Sequence, residues 1–333
     1  MTQDIRQITV IGAGVIGLSW TALFLAHGLH VTVHDIAPDA ETRIRKGLAR
    51  LKPGLRALDL SCEGWDARLH VEPDLARAVA DADLVQENGP DRIAFKRALW
   101  ARVEQHAPAH ALLLSSSSGI PTRQQARDMH APGRLMIGHP FNPPHLIPLV
   151  EVAPHRQTPP ALAQRALRFY RSIGKHPMLL RKEVPGFVAN RLQAALLREA
   201  VLMVKWGVVS VDELDDIVTH SIGLRWATGG PFLSFHLGGG ATGFSGFLKH
   251  FARGVQLLWL HSKLSPVRFS RHMNKMLLAQ IDDSFGQVPL TELEAERDRR
   301  QIALLKQDFT RTAGYADATA IAPAAGDHDA HAR

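Results

Sequence analysis

His139 and Glu151, 12 residues apart, carry the strongest chemical signal in this sequence. A histidine changes charge near neutral pH and can take a proton from a hydroxyl group. A carboxylate inside an apolar strand needs a partner, and beside an imidazole it stabilises the cation that such a transfer forms. His139 opens the stretch His139-Pro140-Phe141-Asn142-Pro143-Pro144, where two prolines after Asn142 remove backbone donors and stiffen the segment. Glu151 lies in Leu149-Val150-Glu151-Val152 and shares a face with Leu149 and Ala153 by period-two alternation. Spacing alone leaves two plainer alternatives open, a satisfied core histidine and an edge-strand glutamate. The four hydroxyls Ser115 to Ser118 follow the apolar run Ala111 to Leu114. They read either as groups facing a crevice or as a serine-rich turn bonded to its own backbone.

These groups need a scaffold, and the stretch Ile8 to Leu29 supplies its first unit. A β-branched run ends in Gly12-Ala13-Gly14-Val15-Ile16-Gly17 and resumes with helical spacing, which is the strand, turn and helix of a dinucleotide fingerprint. Gly12 permits the turn, Gly14 gives backbone amides access to a pyrophosphate, and Gly17 allows close helix packing. The amides of Val15 and Ile16 open the helix, whose positive end favours the anion. Asp35, 23 residues after Gly12, ends a second strand, His30 to His34. An acid there accepts ribose hydroxyls and repels a 2′-phosphate, so NAD is expected over NADP.

Further strands are expected at Arg68 to Val71, Leu84 to Glu87, Ala111 to Leu114, Leu135 to Gly138, Leu149 to Val152 and His176 to Leu180. Helical segments alternate with them at Leu75 to Ala82, Ile93 to Gln105 and Arg165 to Ile173. An arginine-rich helical stretch, Pro38 to Leu60, is expected to break at Pro53-Gly54. This alternation implies an α/β fold, a Rossmann-type mostly parallel sheet, over residues 1–184. Glu87 and Arg92 then fall at a strand C-terminal end, where ligands collect. After Pro185-Gly186 the pattern turns all-helical, giving a second, all-α domain at 185–312. Its first helix, Phe187 to Trp206, carries Leu192, Leu196, Ala200 and Met203 on one face, and Asn190 near its start points back toward the crevice. That apolar face exceeds what one domain needs to cover, so a homodimer is expected. Residues 313–333, rich in Ala, Asp and His, read as a disordered tail.

Composition narrows the classes. The 333 residues are 45% hydrophobic and 21% charged, as in globular proteins with ample cores. The net charge of +7 comes from scattered basic residues without a basic arm, so nucleic acid is not an expected partner. Glycines interrupt the uncharged run Ile8 to Ala26, which argues against a membrane span, and no basic n-region or small-residue cleavage site marks a signal peptide. Cys62 is the one cysteine, which excludes an intrachain disulfide and a cysteine metal cluster and suits a reducing cytoplasm. No metal is expected.

With Gly12-x-Gly-x-x-Gly17, Asp35, Ser118, His139-x-x-Asn142-Pro143, Glu151 and Pro185-Gly186-Phe187-Val188-Ala189-Asn190-Arg191 in register, the chain resembles the L-3-hydroxyacyl-CoA dehydrogenase family from about residue 6 to about 310. The resemblance implies an NAD-dependent enzyme in which His139 takes the 3-hydroxyl proton, Glu151 supports it, and Ser118 and Asn190 position the reacting oxygen. It also implies cofactor contacts for an acid and the basic residue five places later, placed here at Glu87 and Arg92, and for Asn142.

Departures from the acyl-CoA pattern bear on the substrate. The segment after the second strand is shorter and its basic residues are mostly arginine where acyl-CoA members are lysine-rich, His139 is followed by Pro140, and Gly223-Leu224-Arg225-Trp226-Ala227 replaces Gly-Tyr-Pro-Met-Gly-Pro. These features resemble the branch that oxidises free 3-hydroxy acids, the L-carnitine dehydrogenases and the L-gulonate 3-dehydrogenases related to lambda-crystallin. Carnitine enzymes are the nearest match. Arg225 offers a planar fork to a carboxylate. Trp226, Phe232 and Phe235 offer ring faces to a quaternary ammonium, worth about 0.5–2 kcal/mol per contact. The expected reaction is L-carnitine to 3-dehydrocarnitine; alternatives are a short-chain 3-hydroxyacyl-CoA dehydrogenase, an L-gulonate 3-dehydrogenase, or a crystallin-type structural protein that only binds NAD.

Overall fold

The computed structural model describes residues 5–307. The segment 313–333, read above as a disordered tail, lies outside them. Eight strands form one sheet: β1 (Gln7–Ile11), β2 (His30–His34), β3 (Leu69–Val71), β4 (Leu84–Glu87), β5 (Leu112–Ser115), β6 (Leu135–Pro140), β7 (Leu149–Pro154) and β8 (His176–Leu179). Their order is β3-β2-β1-β4-β5-β6-β7-β8, and every neighbouring pair is parallel except β6 and β7. The chain runs outward from β1 to β3 and returns to β4 on the other side of β1. A crevice therefore opens at the C-terminal ends of β1 and β4.

Helices α1 (Val15–Ala26), α2 (Ala40–Ala57), α3 (Trp65–Arg68), α4 (Leu75–Val79), α5 (Ile93–His106), α6 (Thr122–Gln125) and α7 (Pro160–Ser172) connect the strands. Alternation along the strands sorts side chains onto two faces. Ile8, Val10, Leu84, Leu112 and Leu114 pack with Trp20 and Phe24 of α1 and Tyr170 of α7. Ile11, Val85 and Leu113 pack with Trp100 and Val103 of α5 on the other face. Each fully buried aromatic or aliphatic side chain contributes about 1.5–3 kcal/mol.

The expected break in α2 does not occur, because the helix runs through Pro53 to Ala57. An interior proline costs about 3 kcal/mol. Buried Ile44, Leu48 and Leu55 recur on one side of α2 and together outweigh that cost.

Beyond β8 the described chain is helical: α8 (Ala189–Lys205), α9 (Val211–Thr219), α10 (Ile222–Gly238), α11 (Phe244–Leu264), α12 (Arg271–Phe285) and α13 (Leu290–Leu305). Ser210 and Glu213 form a full capping box at the start of α9. The stretch Gly223 to Phe235 is helical on both sides of Gly230, whose φ of 68° kinks α10 just before Pro231. Much apolar surface stays exposed here, including Trp259, Phe232 and Leu258. The last helix returns to the first domain, where Ile302 packs near Gly54 of α2 and Lys306 lies 3.5 Å from Asp59. No described helix is long and apolar enough to cross a membrane.

Tyr170 shows how tightly α7 meets the sheet. Its hydroxyl donates to Gln86 Oε1 at 2.7 Å, and a Cβ on Gly138 would stand 2.1 Å from the Tyr170 hydroxyl oxygen. Gly138→Ala is expected to destabilise the protein by about 1–3 kcal/mol through overpacking. In a Tyr170→Phe background the added cost should fall, and a double-mutant cycle in urea measures that coupling.

Candidate active site

The glycine turn opens the crevice. Gly12 has φ +87°, and a Cβ on Gly17 would fall 1.8 Å from the Gly12 carbonyl oxygen, so any larger residue at either place disrupts the turn. Nothing lies within 4 Å of where a Cβ on Gly14 would stand, and no side chain caps the first turn of α1. Free amides at a helix N-terminus, with clear space before them, fit a pyrophosphate. Val15 is exposed on that turn, and Ile16 lines the cleft beyond it. Asp35 accepts from Ala13 N at 2.9 Å and Ala37 N at 3.0 Å. Its carboxylate is thereby aimed at the turn and keeps lone pairs for ribose hydroxyls.

At the other side of the cleft, β6 and β7 place His139 directly opposite Glu151. His139 Nδ1 lies 2.9 Å from Glu151 Oε2, and both side chains are buried. The second carboxylate oxygen accepts from the amides of Val188 at 2.9 Å and Ala189 at 3.0 Å, at the start of α8. Burial alone would raise the Glu151 pKa. The hydrogen bonds from His139, Ala189 and Val188 outweigh burial and hold the carboxyl below its ordinary value. Phe187, fully buried, packs its ring 5.4 Å from that of His139, centroid to centroid, and has a left-handed φ of 51°. Such a conformation in a bulky residue stores strain, which the burial of its ring and the anchored α8 amides sustain.

The cleft between these walls has a volume of about 660 Å³ and is also lined by Asn88, Ser118, Asn142, Asn190 and Gln193. Asn190 Nδ2 lies 3.4 Å from the Ser118 carbonyl oxygen. The Ser118 amide and hydroxyl both donate to Asp91 Oδ2 at 3.3 Å. Asp91 is 3.2 Å from Lys96, whose buried ammonium bonds both oxygens of Glu87 at 2.8 and 2.9 Å. Glu87 also accepts from Ser115 Oγ and Gly89 N, each at 2.6 Å.

Residues 7–184 match the NAD binding domain of 3-hydroxyacyl-CoA dehydrogenases, and residues 186–267 match their C-terminal domain. The chain belongs to the 3-hydroxyacyl-CoA dehydrogenase family. An L-carnitine dehydrogenase of Streptomyces griseus is 42% identical over 91% of this chain and 90% of its own. A 3-hydroxyacyl-CoA dehydrogenase of Gibberella moniliformis is 41% identical over 92% of this chain and 95% of its own. Among solved structures, 5-formyl-3-hydroxy-2-methylpyridine 4-carboxylic acid 5-dehydrogenase, an NAD+-dependent dismutase, shares 31% identity with a TM-score of 0.71, covering 91% of this chain and 98% of that one.

This family member is an NAD-dependent dehydrogenase, and the glycine turn, with its open space and uncapped amides, fits the dinucleotide. His139, Ser118, Asn190, Asn142 and Ile16 meet at one cleft, with Glu151 directly behind His139. Two residues expected at the cofactor's edge do not line this cleft. Glu87 is fully buried, its oxygens taken up by Lys96, Ser115 and Gly89, and Arg92 is exposed and does not line the cleft. An acid followed five places later by a base occurs twice in this segment, and Asp91 with Lys96 is the pair whose acid reaches the cleft. Arg225, Trp226, Phe232 and Phe235 stand exposed on α10, and none lines the cleft. Gln193, one helical turn beyond Asn190, was not foreseen, although its spacing puts it on the face of Asn190.

Glu151 links the site to stability. Its folded pKa lies below the unfolded value near 4.5, so its stabilisation is complete above that pH and disappears as pH falls through the folded value. Glu151→Gln should therefore lower stability at pH 7, and its deficit relative to the parent should shrink below pH 4.5, as read by urea unfolding at several pH values.

Proposed function

We propose that the chain oxidises a free 3-hydroxy acid to the 3-oxo acid, with L-carnitine as the preferred substrate. The observation that carries this reading is the buried His139–Glu151 pair facing the cleft into which the glycine turn opens. With Nδ1 committed to Glu151, the free Nε2 of His139 receives the proton of the 3-hydroxyl, and the carboxylate stabilises the imidazolium. Bound NAD supplies the hydride acceptor. Ser118 and Asn190, joined through the Ser118 carbonyl, orient the reacting oxygen from the opposite wall. Holding that oxygen at a fixed place removes orientational entropy from the barrier.

The substrate assignment draws support from the relatives named L-carnitine dehydrogenase and from the Arg225-Trp226 segment. In this reading Arg225 binds the carboxylate, and Trp226, Phe232 and Phe235 face the quaternary ammonium. It requires α10 to approach the cleft on binding, a movement for which the Gly230 kink provides a joint. The exposed apolar faces of α10 and α11 are covered by a second copy in a homodimer, since patches of this extent mark association surfaces. A reducing cytoplasm is the proposed location, on the single unpaired Cys62.

Steady-state kinetics with L-carnitine, L-gulonate and 3-hydroxybutyryl-CoA tests the substrate, and a marked preference for the CoA ester overturns it. His139→Gln should cut kcat by about 10²–10⁴ while leaving the Kd for NAD nearly unchanged. Arg225→Ala should raise KM for free acids and leave any activity on the CoA ester unaffected.

A further inference from the structure

Lys175, just before β8, is buried, and no carboxylate among the described residues pairs with it. Its ammonium donates to the carbonyls of Pro144 and Ile147, the latter at 2.8 Å, and lies 5.4 Å from the ring centroid of Trp20. Burial without a counter-charge brings its pKa down to about 7. A buried lysine in place of an aliphatic residue is a cost that packing alone does not repay.

Its partners explain its presence. The carbonyls belong to the loop 141–148, which begins with the cleft residues Phe141 and Asn142. Pro143 and Pro144 deny that loop two amide donors, so few bonds hold it from within. A second tie comes from Ser19 of α1, whose hydroxyl accepts from His145 N and donates to His145 Nδ1, each at 2.8 Å. Burial takes the His145 pKa down to about 4, which keeps that ring nitrogen free to accept near neutral pH. On the other side, Trp20 Nε1 donates to Ser116 Oγ at 3.2 Å, and Ser116 donates to Asn88 Oδ1 at 2.7 Å. Asn88 and Ser116 line the same cleft as Asn142.

We infer that Lys175 is a positioning residue for the dinucleotide, setting one cleft wall through the Asn142 loop and the other through Trp20, Ser116 and Asn88. Lys175→Met keeps the stem and removes the donors. By isothermal titration calorimetry it should weaken NAD binding about tenfold, the size of one lost buried hydrogen bond. KM for NAD should rise in step, kcat at saturating NAD should stay within about twofold, and Lys175→Arg should restore part of the affinity. A folded Lys175→Met protein that binds NAD like the parent overturns the inference, as does a fall in kcat with NAD affinity intact. Should Lys175→Met fail to fold, Trp20→Phe decides: it keeps the ties to the loop but loses the bond to Ser116. Weakened NAD binding in Trp20→Phe supports the assignment, and parental affinity overturns it. NAD binding is read without substrate, so the result is independent of which hydroxy acid is oxidised.

Discussion

The carboxylate of Glu151 faces two ways, and the rest of the site depends on that. One oxygen holds His139, and the other takes the first amides of α8, so a single buried charge joins the proposed base to the start of the helical domain. Each partner needs the other. Without the helix amides and the imidazole, an ionised carboxylate at that depth is costly. Without the carboxylate, two amides and a ring nitrogen lose their bonds. The left-handed Phe187, wedged against the His139 ring, sits at this joint. The ring's orientation and the course of the chain between domains are therefore set together.

Sheet topology makes the pairing possible. A parallel neighbour needs a long crossover, whereas antiparallel strands are linked by a short loop and bring opposed side chains within about 5 Å. The one reversal in this sheet falls between β6 and β7, the strands that carry the histidine and the glutamate. That same loop carries Asn142 back to the cleft. The other reversal, in strand order around β1, opens the space before the glycine turn. The glycine turn and the His139–Glu151 pair thus share one cleft because two topological features lie at the same end of one sheet.

At the end of β4, alternation separates two polar roles. Gln86 points toward α7 and meets Tyr170, while Glu87 points toward α5 and is neutralised by Lys96. A fully buried carboxylate that accepts four hydrogen bonds from Lys96, Ser115 and Gly89 organises the loop from Asn88 to Asp91. It has no oxygen left for a ligand, and Asp91 presents the charge at the cleft.

Much of this was legible in the amino-acid order. Pattern located all eight strands to within a few residues, because most are short β-branched or leucine-rich runs bounded by polar or glycine-containing turns. The glycine turn and the all-helical change after Pro185 are local features, decided within a few residues. The break foreseen at Pro53 failed because the core on the far side of α2 overrides local preference. Choosing between Glu87 and Asp91 as the cleft carboxylate required knowing which of them is enclosed, since Lys96 contacts both and only Asp91 reaches the cleft. Likewise spacing could propose His139 and Glu151 as partners but left a plain core histidine equally open. Side chains 12 residues apart can face each other or opposite ways, and only the antiparallel register, which depends on how the whole sheet is assembled, brings them together.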